Sequence, residues 1–330
     1  MQIGYMNKNT SKTTKLLAKA CKYYDIDLIY FNENNVDLDK EIIYGKKLVN
    51  NKWETIEMKE IPPYIDIQPY FFKFKDLIKF LKKRSKLSIN KRPGSKIKVF
   101  NKIKREGSFS HLLIPYEIYT GYEDVIRFIK QHKNIILKPI FGSKGKDVYK
   151  ITREGRKFLV DYLDDKRKYN KRQFKSFLKN NIEEDRTVIQ KYIISRTKKD
   201  EPFDCRVRLE KNGKGKWEVA IILVRIGSNN KIVSNVKRGG GVSKLPSFLK
   251  ANFENRAGQI EENINKIAQE FPPKLEEILD QRLVSLGLDL GINQSGKPYL
   301  FEVETGPGFE FGSGEVVSLK VDHYNYIKNN

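Results

Sequence analysis

The stretch LGLDLGINQSGKPYLFEVETGPG, residues 286–308, decides how the chain is read. Leu288–Asn293 and Tyr299–Val303 have strand character and flank the turn sequence QSGKP, so the spacing predicts an antiparallel hairpin. Asp289 and Glu302 are thirteen positions apart across that turn, a separation that can set them side by side. Glu304 lies two residues beyond Glu302 and shares its strand face. Three carboxylates on one face repel one another unless solvent, protonation or a divalent cation relieves them. An all-oxygen set without histidine points to Mg²⁺ or Mn²⁺ rather than zinc. A solvated acidic strand face explains the same residues, and the spacing leaves both readings open. The small turn Thr305–Gly308 follows and can admit a ligand.

Working outward, ILKPIFGSKGKDV (136–148) places Lys138 at the end of an apolar strand before a glycine-containing loop. Loop amides without bulky side chains approach phosphate oxygens, and an ammonium neutralises them, so Lys138, Gly142, Ser143 and Gly145 are phosphate candidates. The loop is not a Walker A sequence, and an ordinary hairpin turn is its plainer reading. FDCRVRL (203–209) puts Asp204, Arg206 and Arg208 on one strand face. LVRIG (223–227) puts Arg225 on the return strand, and SNVKRGGG (234–241) supplies Asn235 ahead of a glycine run. Arginines opposite a metal site are the expected counter-charge for a triphosphate; surface hairpin arginines are the alternative.

The 330 residues carry 64 basic and 41 acidic side chains, a net charge of +23. With 39% hydrophobic residues the chain can bury a core, which excludes wholesale disorder. It lacks an apolar run long enough for a membrane span, and residues 1–6 do not have signal-peptide order. Cys21 and Cys205 cannot form a disulfide scaffold, and His111, His132 and His323 lack metal-ligand spacing. A protein of a reducing compartment is expected. Basic clusters at Lys79–Arg92 and Lys166–Lys179 admit an anionic partner, but no nucleic-acid-binding signature accompanies them.

The first 90 residues read as a small α/β lobe, with strands at Gln2–Tyr5 and Asp27–Phe31. A helix is expected over Thr10–Tyr24 with Leu16, Leu17 and Ala20 on one face. A hairpin over Glu41–Met58 turns at Asn50 and Asn51, and a basic helix follows at Phe74–Lys83. KRPGS (91–95) marks a boundary. Beyond it the pattern is of strands and hairpins, with helices at Lys171–Asn180 and over Asn252–Leu283, the latter broken by Pro272 and Pro273.

The pieces KIKVFNKI, IPYE, IILKPIFGSKGKDV, VIQKYI, the 203–227 hairpin, IVSNVKRGGG and the 286–308 segment occur in an order that resembles an ATP-grasp fold. Their detail resembles the YheC/YheD group of spore-coat-associated proteins. The resemblance implies an α/β (α+β) chain with an N-terminal lobe, residues 1–94, before an ATP-grasp domain, residues 95–330. Residues 125–195 would cover the nucleotide and residues 196–330 carry the metal. It assigns Lys96 and Lys138 to the nucleotide phosphates and the Gly142–Gly145 loop to their cover. Gln190, Lys191, Tyr192 and Ile193 become the adenine-reading hinge. Arg206, Arg225 and Asn235 face the triphosphate or an acyl phosphate, and Asp289, Glu302 and Glu304 are the metal ligands. ATP and Mg²⁺ (or Mn²⁺) are the implied cofactors, and a carboxylate–amine or carboxylate–thiol ligase the implied activity. A coat or scaffold protein that binds nucleotide without turnover is the alternative. The implied setting is cytoplasmic, with spore-coat association admitted. The family motif commonly ends Glu-x-Asn where this chain has Glu302-Val303-Glu304. An acidic residue is often found where Asn293 stands, and no ribose-binding acid is evident beyond the nearby Asp200 and Glu201.

Overall fold

The computed structural model describes residues 1–141, 147–162, 165–227, 240–309 and 312–330. The chain opens with β1 (Gln2–Met6), α1 (Lys12–Cys21), β2 (Asp27–Phe31), β3 (Val36–Asp37), β4 (Ile42–Val49), β5 (Lys52–Met58), β6 (Tyr64–Ile67), α2 (Lys75–Arg84) and β7 (Lys86–Leu87). These strands form one sheet in the order β3-β4-β2-β1-β6-β7, with β5 beside β4 and β1 parallel to both β2 and β6. Ser11 caps α1 by accepting from the Thr14 N–H. The helix buries Thr14, Leu17, Ala18 and Cys21 and leaves Leu16 exposed, so the stripe lies to one side of the expected one. Spacings of three and four residues align those four positions, whereas Leu16 points away. The β4–β5 turn forms at Asn50 and Asn51, with φ of 44° and 66°. Two left-handed residues make the tight turn that matches strand twist.

The second unit contains α3 (Lys96–Glu106), β8 (Tyr116–Ile118), α4 (Tyr122–His132), β9 (Asn134–Pro139), β10 (Tyr149–Glu154), β11 (Lys157–Tyr162), β12 (Asp165–Tyr169), α5 (Lys171–Asn181) and β13 (Thr187–Lys191). Its sheet runs β12-β11-β10-β9-β13-β8. Ile135, Leu137, Ile151, Val160 and Ile189 pack with Phe128, Phe174 and Leu178 of α4 and α5 into a core of their own. The sequence reading gives only strands between residues 95 and 170 and misses α3 and α4, whose short apolar stripes are interrupted by charge.

The third unit is β14 (Phe203–Lys211), β15 (Trp217–Ile226), β16 (Gly241–Lys244), α6 (Leu245–Phe253), α7 (Ala257–Leu279), β17 (Ser285–Ile292), β18 (Pro298–Glu304) and α8 (Ser313–Asn329). The sheet order is β16-β15-β14-β17-β18. Cys205, Val207, Leu209, Leu286, Leu288 and Leu290 pack on α6 and α7. The same core continues into Phe71, Ile78, Leu81, Phe100 and Ile103 of the chain before β8. No helix among the described residues is long and apolar enough to cross a membrane.

The expected break at Pro272 and Pro273 does not occur; α7 runs through both. A proline removes an internal hydrogen bond, but the stripe Ile264, Ile267, Ala268, Phe271, Leu275 and Leu279 is buried along the whole helix and holds the two halves in line. Pro273 faces solvent. Replacing it with alanine is expected to raise stability by about 1–2 kcal/mol. The regained helix bond and propensity exceed the lost chain stiffness. Urea unfolding of Pro273→Ala measures this, and a midpoint at or below the parent's contradicts it.

Candidate functional site

On β14 the side chains alternate strictly: Cys205, Val207 and Leu209 enter the core, and Asp204, Arg206, Arg208 and Glu210 line the opposite face. Strand register then fixes who meets whom. Arg206 lies opposite Asp289, Asp289 opposite Glu302, and Asp204 opposite Arg225. A register shift after Asp289 leaves Phe301 as the extra residue on β18 and keeps Glu302 and Glu304 on the Asp289 side. Gly291 makes room for this bulge, since a Cβ there would stand 1.9 Å from the Phe301 ring. Gly287 does the same for the Arg206 guanidinium, 2.9 Å from the position of a Cβ.

The expected juxtaposition of Asp289, Glu302 and Glu304 is present: one oxygen from each lies within 4.8 Å of the others. Their mutual repulsion is met by the protein's own cations. Arg206 Nη2 donates to Asp289 Oδ2 at 3.0 Å and Nη1 to Glu304 Oε2 at 2.6 Å. Arg225 bridges Asp204 (2.6 and 2.9 Å) and Asp289 (2.9 Å). Lys96, at the first turn of α3, reaches Glu302 Oε1 at 2.7 Å. Burial raises the Glu302 carboxyl above the usual range, against the pull of Lys96. Burial would lower both guanidinium values, yet the carboxylates, Asp289 foremost, more than reverse this and hold them fully charged.

Lys138 lies opposite Val188, on the sheet face away from the core residues Ile135, Leu137 and Ile189. Burial, then the neighbouring Lys96, push its ammonium down to about 8, while Glu302 opposes them. Lys96, Lys138 and Glu302 therefore feel one another, although they come from α3, β9 and β18. Gln190 shares the Lys138 face and is buried; its Nε2 has no protein partner. Lys191 and Tyr192 donate their backbone N–H groups to Pro115 and Asn134, both at 3.0 Å, and Ile193 is buried beside them. Gly142, Ser143, Gly145 and Asn235 lie outside the described residues. Of the two nearby acids, Glu201 accepts from Thr197 Oγ1 at 3.1 Å, and Asp200 is an exposed partner of Arg196.

Sequence reasoning found the acids and the arginines but not their pairing, and gave Asp204 no role. The alternation of FDCRVRL carried that signal, and the missing part was the position of β14 between β15 and β17. Arg225→Met leaves the buried Asp204 and Asp289 short of a cation and is expected to cost about 2–3 kcal/mol of stability. Adding Asp204→Asn to it is expected to restore part of the loss, as urea unfolding of the two variants will show.

A family model described as YheC/D-like ATP-grasp matches residues 85–317. The endospore coat-associated proteins YheD and YheC of Bacillus subtilis (strain 168) are 32% identical over 109 residues and 25% identical over 139 residues. Those matches take in 32% and 42% of this chain but only 23% and 38% of the two relatives, so the chain spans well under half of either. Among solved structures, the ATP-grasp ligase PsnB complexed with a minimal precursor, Mg and ADP superposes with a TM-score of 0.58. That match has 10% identity and covers 98% of both chains. At that identity the likeness speaks for the fold, and the family match agrees with it from the sequence. The chain belongs to the YheC/D-like ATP-grasp family.

Proposed function

We propose that the protein is an ATP- and Mg²⁺-dependent ligase that activates a carboxylate as an acylphosphate for attack by an amine or a thiol. The observation that supports this best is the convergence of Lys96, Lys138, Arg206 and Arg225 on the Asp289–Glu302–Glu304 trio. The all-oxygen donor set fits a hard divalent cation, which Asp289, Glu302 and Glu304 would hold. Such an ion supplies charge neutralisation at phosphate oxygens. The lysines and arginines supply the rest, because phosphoryl transfer asks chiefly for positioning and countercharge. A substrate carboxylate oxygen attacks the γ-phosphorus, the bond to the bridging oxygen breaks, and ADP leaves. The acceptor nitrogen or sulfur then attacks the acyl carbon and inorganic phosphate departs. The Gly142–Gly145 loop covers the phosphates in this reading, and Asn235 sits ahead of the second glycine run. Gln190 to Ile193 take the base. With the Lys191 and Tyr192 N–H groups already engaged, Ile193 offers the remaining backbone donor.

A triphosphate competes for the same cations that neutralise the carboxylates. As ATP draws Lys96, Arg206 and Arg225 toward itself, the trio is released to take the metal. Nucleotide and cation therefore bind as a unit in a cytoplasm that supplies both. ADP release with a panel of amino acids and peptides tests turnover. The names of the curated relatives favour a second reading, in which a coat-associated protein binds nucleotide without turnover. Binding of ATP with no acceptor-dependent ADP release would select that one.

Lys138→Ala is expected to weaken ATP binding by about 1.5–3 kcal/mol in calorimetry. In the parent, Lys138 titrates near 8 without ligand and is held protonated by the phosphates. ATP affinity is thus expected to be flat below pH 8 and to fall by about tenfold per unit above it, until the bound-state value is reached. Proton uptake on binding at pH 8.5 checks the sign, and Lys138→Arg should remove it. Mn²⁺ is expected to bind at least about tenfold more tightly with ATP than without it, a coupling of about 1.4 kcal/mol. Glu304→Asn should reduce the Mg²⁺ dependence of ATP binding; an unchanged magnesium series would remove Glu304 from the ligand set.

A further inference from the structure

The charged row on β14 continues past the trio. Arg208 Nε donates to Glu210 Oε1 at 2.8 Å, Nη1 to the carbonyl oxygen of Gly308 at 3.1 Å, and Nη2 to Ser285 Oγ at 3.1 Å. The other Glu210 oxygen meets Lys320 Nζ at 3.5 Å. Lys320 donates to Asp66 Oδ2 at 2.9 Å, which also accepts from the Tyr324 hydroxyl at 2.6 Å. Asp66, Arg208, Glu210 and Lys320 are each 4% exposed or less. They come from β6, β14 and α8, so the chain of charges runs from the N-terminal sheet to the loop that leaves β18.

Two cations and two anions balance, and the pairing is firm. Burial alone would lower Lys320, but Asp66 and Glu210 hold it above the usual lysine range. A well-packed apolar set of the same volume would stabilise such a seam as well as buried ions do. It could not grip a backbone carbonyl, which the Arg208 fork does. Gly308 is four residues beyond Glu304, and the guanidinium also lies 5.8 Å from the Phe309 ring centre. The same loop touches the N-terminal lobe a second time: a Cβ on Gly306 would stand 2.6 Å from Pro69 and 2.7 Å from Gln68.

We propose that Arg208 is a positioning residue: through Gly308 it fixes the Thr305–Phe309 loop and the approach of Glu304. The Glu210–Lys320–Asp66 relay makes that position depend on how the N-terminal lobe is seated. This rests on the trio being a cation site.

The test uses the full chain, Mn²⁺ binding in the presence of ATP, and hydrogen exchange at residues 305–309. Arg208→Lys keeps a cation for Glu210 but loses the fork. It is expected to weaken Mn²⁺ binding by about tenfold or more and to speed exchange in the loop by a similar factor, with the fold retained. Arg208→Met/Glu210→Met removes one charge of each sign, leaves Lys320 with Asp66, and should show the same two changes. Wild-type Mn²⁺ affinity and loop exchange in either folded variant would overturn the proposal. In the parent, the amides of Thr305, Gly306, Gly308 and Phe309 and those of α8 are expected to open together under mild denaturant. Separate openings would overturn it even if neither variant folds. A parent chain that binds no Mn²⁺ with ATP refutes the cation site instead, and the exchange data then judge the latch alone.

Discussion

Opposite charges held on one face of a twisted sheet are the constraint on which the site depends. Asp204, Asp289, Glu302 and Glu304 bring four negative charges to the β14–β18 surface, and Lys96, Lys138, Arg206 and Arg225 bring four positive ones. Neither set is tolerable alone: buried ions without partners cost several kcal/mol each. The balance lets the chain fold with Asp289, Glu302 and Glu304 largely buried and side by side. It also means that each carboxylate of the trio already has a cationic partner within the protein.

The packing divides the candidate site between two hydrophobic cores. The core of the β14–β18 sheet is continuous with that of the N-terminal lobe and α3, so Lys96, the arginines and the trio share one frame. The β8–β13 sheet, which carries Lys138 and Gln190, has a separate core. Its backbone leaves that core near Pro115 and Ile193. At the same end the isolated bridge between Leu113 and Leu300 ties the connection to β18.

Local patterns carried most of the fold. Alternation in FDCRVRL, the KNGKGK turn before residues 217–226 and the QSGKP turn within 286–304 gave the central sheet strands, and Asn50-Asn51 gave the N-terminal hairpin its turn. The trio was legible because two of its members are i and i+2 on a strand and the third lies across a short turn. Its neutralisation was not legible, since Arg206 meets Asp289 only because β14 inserts between β15 and β17. Lys320 had no signal of its own: α8 carries polar residues around its circumference, and its buried lysine is explained only by Asp66, 254 positions earlier. The straight α7 shows the same limit from the other side, where a long buried stripe outweighs two prolines.

Glu304 illustrates how a third acid is absorbed by its surroundings. A neutral residue there would leave the local charge set one positive unit in excess and Arg206 with one carboxylate fewer. With glutamate, the guanidinium spans two acids, and it can do so only because Gly287 has no side chain beneath it. Pro307 closes over the same glycine, so the loop after β18, the arginine and the extra acid fit as one unit. Changing any of the three alters the space for the other two. The acid at position 304 is therefore better understood together with Arg206 and Gly287 than by itself, and the +23 of the whole chain has no part in it, since these charged groups sum to zero.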